Sequence, residues 1–281
     1  MTAETLISRD SPFNRIGNDL AAAALAFRTG AVGTLTGWPV LAGRSLFYSL
    51  IMVVLASLWD RVIGQRLPHT LAETIPQGVL VLYVAATEWI TLSLPSVHLR
   101  LEDDIRLGGL EPHLLRPKGY LTQVFAQTLG GGLVRMAVLG PTAIGLLLLS
   151  GRAWPPAQAF VYLLVLGPVG LAVGVLLYIF AGLMAFWARR VLPFQLVIQK
   201  LMFLAGGLFA PVSLYPQPWR GWAEATPFAA HLYWAGRMVM EPSSAVFLQG
   251  IGWGLFWIAA LAAINAVVWR LGLRRVLREG L

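Results

Sequence analysis

The chain of 281 residues has no cysteine and little charge. The absence of cysteine excludes disulfide bonds, thiolate metal sites and a cysteine nucleophile. Charged residues make up only 12% of the chain, about half their share in a soluble domain, whereas hydrophobic residues make up 57%. Because so few charges cannot cover a water-facing surface, much of the apolar surface is expected to face lipid.

Motifs for catalysis and metal binding are also missing. The two lysines, Lys118 and Lys200, follow Pro117 and Gln199, so neither belongs to the Gly-x4-Gly-Lys-Ser/Thr loop that cradles nucleotide phosphates. The four histidines have no i, i+4 pairing, which leaves a zinc site or a serine–histidine pair unsupported. The single acidic cluster at 102–104 falls short of the carboxylate sets that hold Mg²⁺ on phosphates. We therefore expect a non-catalytic chain with no metal or cofactor of its own.

Six apolar segments predict an all-α, polytopic membrane protein with a single membrane domain over residues 1–281. Each segment has roughly 19 to 31 residues, enough to cross ~30 Å of hydrocarbon at 1.5 Å per residue. No repeat of fixed period and no Pro/Ser-rich linker divides the chain. The predicted spans are 45–63, 73–96, 122–149, 157–187, 193–214 and 246–269.

An amphipathic helix is predicted at residues 12–30, ahead of the first span. Ser11 can cap its start and Pro12 suits its first turn. An apolar face at helical spacing indicates that this helix lies along the membrane surface. The apolar stretch 31–42 follows, interrupted by glycine and proline, so the first span can begin earlier than residue 45. The face consists of Ile16, Leu20, Ala24 and Phe27.

Basic residues divide unevenly between the two sides of the predicted spans. With the N-terminus inside, 15 Lys and Arg residues fall on the inner side and 5 on the outer side. This asymmetry predicts that both termini are cytoplasmic. The first dozen residues are polar and lack the apolar core of a cleavable signal, so the first span is expected to target the chain to a bacterial-type cytoplasmic membrane. The basic residues form no contiguous patch, so nucleic-acid binding is not expected.

Two charged residues fall inside predicted spans. Glu88 lies in the second span and Arg135 in the third. Such charges are costly in lipid and usually face the bundle interior, where they pair. One hypothesis is a structural ion pair between them, with Arg44 as the other possible partner. The alternative is a role in substrate binding or proton coupling.

The segment 98–118, between the second and third spans, alternates charged and apolar residues. The charge count places it in the cytoplasm. A short amphipathic helix of this kind can dock into a groove on a partner protein, and a simple interfacial loop is the alternative. Two Gly-x3-Gly pairs, 170–174 and 250–254, permit close helix contact but are weak signals in a chain with 29 glycines.

Two stretches of the chain resemble a known family. The first, 104–117, is Asp-Ile-Arg-Leu-Gly-Gly-Leu-Glu-Pro-His-Leu-Leu-Arg-Pro and lies just before the third span. The second, 209–216, is Phe-Ala-Pro-Val-Ser-Leu-Tyr-Pro, and Thr226-Pro227-Phe228 follows it. Both are similar to motifs of type-2 ABC exporter permeases, specifically the small six-span group that includes the proposed viologen exporter permeases. The resemblance covers nearly the whole chain.

The resemblance implies partners for the cytoplasmic side. Two ABC ATPase subunits would hydrolyse ATP with Mg²⁺, and this chain would be their non-catalytic membrane subunit. Residues 12–30 would be a connecting helix that touches the ATPase, and 98–118 would be the coupling segment seated in its groove. The implied coupling residues are Leu101, Asp104, Ile105, Arg106, Leu110, Glu111, Leu114 and Arg116.

The resemblance also implies a transport pathway. Spans one, two and five would line it at an interface with a second permease, identical or homologous. Residues 216–244 would form short, partly re-entrant extracytoplasmic helices that close its outer mouth, and the cargo would be amphipathic, lipid-like or drug-like. An ion-coupled secondary transporter that uses Glu88 and Arg135 is the alternative. The implied gate residues are Pro211, Tyr215, Pro216, Pro227 and Phe228.

Overall fold

The computed structural model describes residues 12–65, 78–110, 119–149 and 155–279, and these residues form helices without any β-strand. A group of short helices between residues 192 and 240 separates the last long helix from the long helices before it. In chain order the helices are α1 (Pro12–Thr36), α2 (Trp38–Gln65), α3 (Val79–Ser93), α4 (Val97–Arg106), α5 (Tyr120–Leu149), α6 (Ala157–Leu183), α7 (Leu192–Leu204), α8 (Trp219–Glu224), α9 (Pro227–His231), α10 (Tyr233–Met240) and α11 (Ser244–Glu279).

Five helical segments of the described chain are long and apolar enough to cross a membrane: Trp38–Trp59, Val79–Arg106, Tyr120–Leu149, Ala157–Phe186 and Ser244–Arg278. They match five of the six predicted spans and confirm an all-α polytopic fold. The first span begins at Trp38, directly after Gly37, so the apolar stretch before residue 45 is divided between α1 and α2.

The fifth predicted span, 193–214, is only partly helical. Its helix, α7, has 13 residues and is therefore about 20 Å long. Gly206 and Gly207 follow, and the positive φ of 70° at Gly207 ends the helical path. A Cβ at Gly207 would also lie 2.7 Å from the Tyr83 hydroxyl. The prediction of a helix through residue 214 is wrong, because the chain turns here instead of continuing.

Helix α1 packs along α5 by direct backbone contact. A Cβ at Gly30 would lie 1.9 Å from the Gln127 carbonyl oxygen, and one at Gly130 would lie 2.2 Å from that of Phe27. The small residues of α1 therefore face α5, whereas Leu20 and Phe27, from the predicted apolar face, stay exposed. The helix extends six residues beyond the predicted end at residue 30 and is fixed to a span.

Helices α3 and α6 form the centre of the bundle. Most residues of α3 are buried, and α3 packs against α2, α5, α6 and α10. As part of the second predicted span, α3 was expected to line a pathway at an interface with a second protomer. Because the other helices bury most of α3, little of its surface is available for such an interface. Large exposed apolar side chains lie instead on α2 and α7, among them Leu46, Leu50, Val53, Val197 and Leu204.

Both Gly-x3-Gly pairs lie where another helix packs closely against them. A Cβ at Gly170 would lie 2.3 Å from the His231 carbonyl oxygen, and one at Gly174 would lie 2.5 Å from the His231 ring. Gly250 and Gly254 bring α11 against α6 in the same way. The absence of side chains lets the helices approach closely without a hydrophobic driving force, as is usual in membranes.

Candidate functional site

The predicted coupling segment begins with α4, whose apolar side faces the protein. Leu101 is fully buried and Leu110 nearly so. A Cβ at Gly182 of α6 would lie 2.7 Å from the Leu101 Cβ, so α4 lies directly on α6. Leu101 and Leu110 thus belong to the core and cannot contact a partner. The expectation failed for them because an amphipathic helix has one apolar face, and here that face is used internally.

Polar contacts tie α4 to the beginning of α5. The Tyr120 hydroxyl donates a hydrogen bond to the Asp104 carboxylate. Arg100 lies 3.7 Å from the same carboxylate and donates to the Gln127 side chain at 2.6 Å. Asp104 is therefore engaged within the chain, and its contacts join α4 to the beginning of α5.

A second set of contacts ties α4 to the turn between α6 and α7. Arg106 donates to the Ala188 carbonyl at 2.9 Å. The buried Glu102 accepts a hydrogen bond from the Val191 amide at 3.3 Å and lies 3.9 Å from Arg190. Hydrogen bonds to a buried carboxylate hold this turn against α4 more firmly than exposed ion pairs do. One short helix thus contacts three parts of the bundle.

The opposite side of α4 is exposed. Leu99 and Asp103 lie one helical turn apart on it, and Leu107 at its end is 79% exposed. Ile105 is half-buried. Leu99 and Asp103 are not among the predicted coupling residues, although their i, i+4 spacing opposite Leu101 puts them together on the other side of the helix. Three predicted coupling residues, Glu111, Leu114 and Arg116, lie outside the described residues.

The two predicted intramembrane charges do not pair. Within the described residues, no Lys or Arg nitrogen lies within 4.0 Å of the Glu88 carboxylate, although Glu88 is buried. Arg135 donates to the Leu94 carbonyl at 3.4 Å, and Arg44 donates to the Leu92 carbonyl at 2.8 Å. The hypothesis of a Glu88–Arg135 ion pair is therefore wrong. The two arginines instead sit at the carbonyl end of α3, where the helix dipole favours cations.

The predicted gate residues lie around the end of α7. The Tyr215 hydroxyl donates to the Leu204 carbonyl at 2.6 Å and so caps α7. Pro211 is buried ahead of a 3-10 turn at Val212–Leu214, whereas Pro216 is exposed. Pro227 opens α9 behind the cap residue Thr226, and the half-buried Phe228 follows it. A Cβ at Gly206 would lie 2.9 Å from the Phe228 carbonyl oxygen, so this turn brings both parts of the predicted gate together.

A polar network holds the short helices α8 and α10 together. The Glu224 carboxylate accepts from Arg220 and from the Tyr233 hydroxyl, each at 3.0 Å, and Arg237 lies 4.0 Å away. Burial raises the pKa of Tyr233 to about 12, so its hydroxyl keeps the proton that it donates. Arg237 also lies over the Tyr233 ring at 6.0 Å and pairs with Glu241 at 3.0 Å. No sequence pattern pointed to this network.

His231 anchors the same region to the core. It is fully buried, and its Nδ1 donates to the Gly170 carbonyl at 2.7 Å, because a carbonyl can only accept. Its ring lies against Gly174. The Gly170-x3-Gly174 pair predicts a close contact at this position of α6, but the sequence does not show that His231 makes it.

Comparison with protein families decides the class of this bundle. The family described as ABC-2 family transporter protein matches residues 74–280, which is more than two thirds of the chain. The chain belongs to the ABC-2 transporter family. Comparison with curated proteins gives no match.

As an ABC-2 permease, the chain is a multi-pass membrane subunit of an ABC transporter, a class that associates with an ABC ATPase. The match confirms the resemblance to type-2 ABC permeases. It includes α4, the end of α7 and the short helices, and it begins after α1 and α2. Membership also favours ATP-powered transport over the ion-coupled alternative.

Proposed function

We propose that this ABC-2 permease exports amphipathic, lipid-like or drug-like compounds across a bacterial-type cytoplasmic membrane, with both termini in the cytoplasm. A separate ABC ATPase, present in two copies, would hydrolyse ATP with Mg²⁺. One observation carries the coupling part of the proposal: α4 is anchored to the bundle on one side and exposed on the other. A lever between an ATPase and the spans needs both properties.

The exposed side of α4 is the proposed contact with the ATPase. Leu99, Asp103 and Leu107 supply two apolar side chains and one carboxylate to a groove on that partner. An exposed leucine beside a charge is typical of a helix that docks by its apolar residues. Movement of α4 then reaches α5 through Asp104 and Tyr120 and the turn before α7 through Arg106. ATP binding thereby changes the relative population of two arrangements of the spans.

A second permease, identical or homologous, is proposed to cover the exposed apolar faces of α2 and α7. Helix α7 is much shorter than α2: it has 13 residues and spans only about 20 Å, whereas α2 has 28 residues. The chain beyond α7 turns at Gly207 and carries the gate residues Pro211, Tyr215, Pro216, Pro227 and Phe228. The pathway would run between the α2 and α7 faces of the two permeases and end at this turn. An apolar lining suits cargo with a large hydrophobic part.

Association with the ATPase tests the proposal. The permease is coexpressed with an ABC ATPase encoded by a neighbouring gene, and the complex is purified through a tag on the permease. We expect Leu107→Glu to reduce the recovered ATPase at least roughly tenfold, because a buried unpaired carboxylate at an interface costs several kcal/mol. Since Leu107 is exposed, the variant should fold normally.

Leu277→Glu is the matched control. Leu277 is 75% exposed near the end of α11, so the substitution is the same and the starting exposure nearly so. It should leave recovery of the ATPase unchanged. Equal recovery of the ATPase with both variants would refute the proposed contact.

Energy dependence distinguishes ATP-powered export from ion coupling. Cells that express the permease and its ATPase should expel a fluorescent amphipathic dye until ATP is depleted. Collapse of the proton gradient at constant ATP should leave the efflux rate largely unchanged. Efflux that survives ATP depletion and stops with the gradient would instead favour coupling through Glu88 or Arg135.

A further inference from the structure

A polar cavity of about 400 Å³ lies where α1, the turn between α3 and α4, and the first half of α5 meet. Its volume is within the range of small-ligand sites. Two arginines and several neutral polar residues line it, and none of its lining residues is acidic. The lining residues that matter are Thr29, Thr34, Ser96, Arg100, Gln127 and Arg135.

The cavity has an excess of positive charge. Arg135 lines it, and Arg44 donates to a carbonyl only two residues from the one that Arg135 contacts. In the described part of the chain, no carboxylate oxygen lies within 4.0 Å of either guanidinium. The carbonyl end of α3 offsets only roughly half an elementary charge. Arg135 and its neighbour Arg44, which lies outside the lining, together carry more positive charge than that partial charge offsets, so the site is short of an anion.

Hydrogen-bond donors in the cavity are also underused. A guanidinium has five N–H donors, and to the residues that the structure describes Arg135 makes one hydrogen bond, at 3.4 Å. The amide oxygen of Gln127 accepts from Arg100, so its NH2 group is the part left to donate. By contrast, the Thr29 and Thr34 hydroxyls donate to carbonyls of α1 and contribute no donor. Among the described residues, the available side-chain donors therefore belong to Arg135, Gln127 and Ser96, and to Arg100 at the rim, which keeps N–H groups beyond the one that it donates to Gln127.

We propose that this cavity binds a phosphate group. The site lacks negative charge and offers a half-buried guanidinium with neutral amide and hydroxyl donors. A phosphate supplies the negative charge, and its several acceptor oxygens fit the fork of guanidinium donors. A guanidinium at membrane depth is also costly unless it has a counter-charge. The orientation in the proposed function puts the cavity toward the cytoplasmic leaflet, where anionic phospholipids supply such groups. Inorganic phosphate is the other source of the same chemistry.

Lipid retention on the purified permease tests the site without the ATPase, so its failure is separable from failure of the proposed function. Native mass spectrometry follows titration with phosphatidylglycerol, phosphatidylcholine or inorganic phosphate. We expect phosphatidylglycerol to bind Arg135→Gln about ten- to a hundredfold more weakly than the wild type, as for loss of a hydrogen-bonded charge. Arg135→Lys should be intermediate, because it keeps the charge and loses the fork.

Arg274→Gln is the matched control. Arg274 is exposed near the end of α11, so the variant removes the same charge away from the cavity. It should change phosphatidylglycerol affinity less than about twofold. If inorganic phosphate competes with phosphatidylglycerol, the site is assigned to a soluble anion. If inorganic phosphate does not compete, the site is assigned to the lipid head group.

Arg100→Gln provides a second perturbation should Arg135→Gln fold poorly. Arg100 is at the exposed rim, so folding should persist, and phosphatidylglycerol affinity should fall roughly threefold. The proposal is overturned if the cavity variants bind phosphatidylglycerol as the wild type does. It is equally overturned if Arg274→Gln loses as much affinity as they do.

Discussion

The contact between α1 and α5 allows a sharp prediction at Gly30. In Gly30→Ala, the new methyl group would lie 1.9 Å from the Gln127 carbonyl oxygen, about 1.5 Å closer than ordinary van der Waals contact. The obstacle is backbone, so a side-chain rotation cannot relieve it and the two helices must separate. Overpacking of this kind costs about 1–3 kcal/mol, and the rigid partner favours the upper end.

Gly33→Ala is the matched control, one helical turn along the same helix. Nothing lies within 4 Å of the position that its new methyl group would take, so only the conformational preference of alanine acts. That preference stabilises a helix interior by about 0.5–1 kcal/mol relative to glycine. Thermal unfolding of the detergent-solubilised permease, followed by tryptophan fluorescence, should show opposite shifts, each of a few degrees.

A double variant tests whether the shared contact is the cause. Gly130→Ala places a methyl group 2.2 Å from the Phe27 carbonyl oxygen and should be destabilising alone. Once Gly30→Ala has moved the helices apart, however, the second substitution should add clearly less than its own effect. Equal midpoints for Gly30→Ala and Gly33→Ala, or strict additivity of the pair, would refute the argument from close backbone contact.

Three further predictions concern other parts of the bundle. Leu101→Ala should lower the free energy of unfolding by about 2–5 kcal/mol, measured by thermal unfolding, because it empties a core position between α4 and α6. Gly174→Ala should displace the His231 ring, 2.5 Å from the new methyl group, and speed proteolysis of 216–244; an unchanged cleavage rate would contradict this. Glu224→Gln should lower stability by at most about 1 kcal/mol, since its ion pairs are partly exposed, and a larger loss in the same unfolding assay would mean that the network is coupled to the core.

Composition and apolar periodicity were sufficient to predict the helical class and five of the spans. They failed at the second half of the predicted fifth span, where Phe209 to Leu214 is as apolar as the helix before it. What stops α7 is the pair Gly206 and Gly207, and only the latter has a positive φ. Glycines are frequent within membrane helices too, so this pair could not be distinguished from the packing glycines by sequence alone.

The sequence predicts an amphipathic helix in the proposed coupling segment, but it does not show which face of that helix is buried. Leu101 and Leu107 are both apolar residues of the same segment, yet one is fully buried and the other largely exposed. The 3.6-residue period shows that they lie on different sides of a helix. Which side meets α6 depends on Gly182, 81 residues later, where the missing side chain admits Leu101.

For the intramembrane charges, too, the sequence determines one property and the tertiary structure another. The sequence by itself determined that Glu88 and Arg135 lie within spans, because an apolar run and a rise of 1.5 Å per residue set their depth. Only the tertiary structure decided their partners, since depth leaves the rotation of each helix and the identity of its neighbours open. Helix contacts across the chain put Arg135 on the carbonyl end of α3 and left Glu88 beyond salt-bridge distance of any described cation.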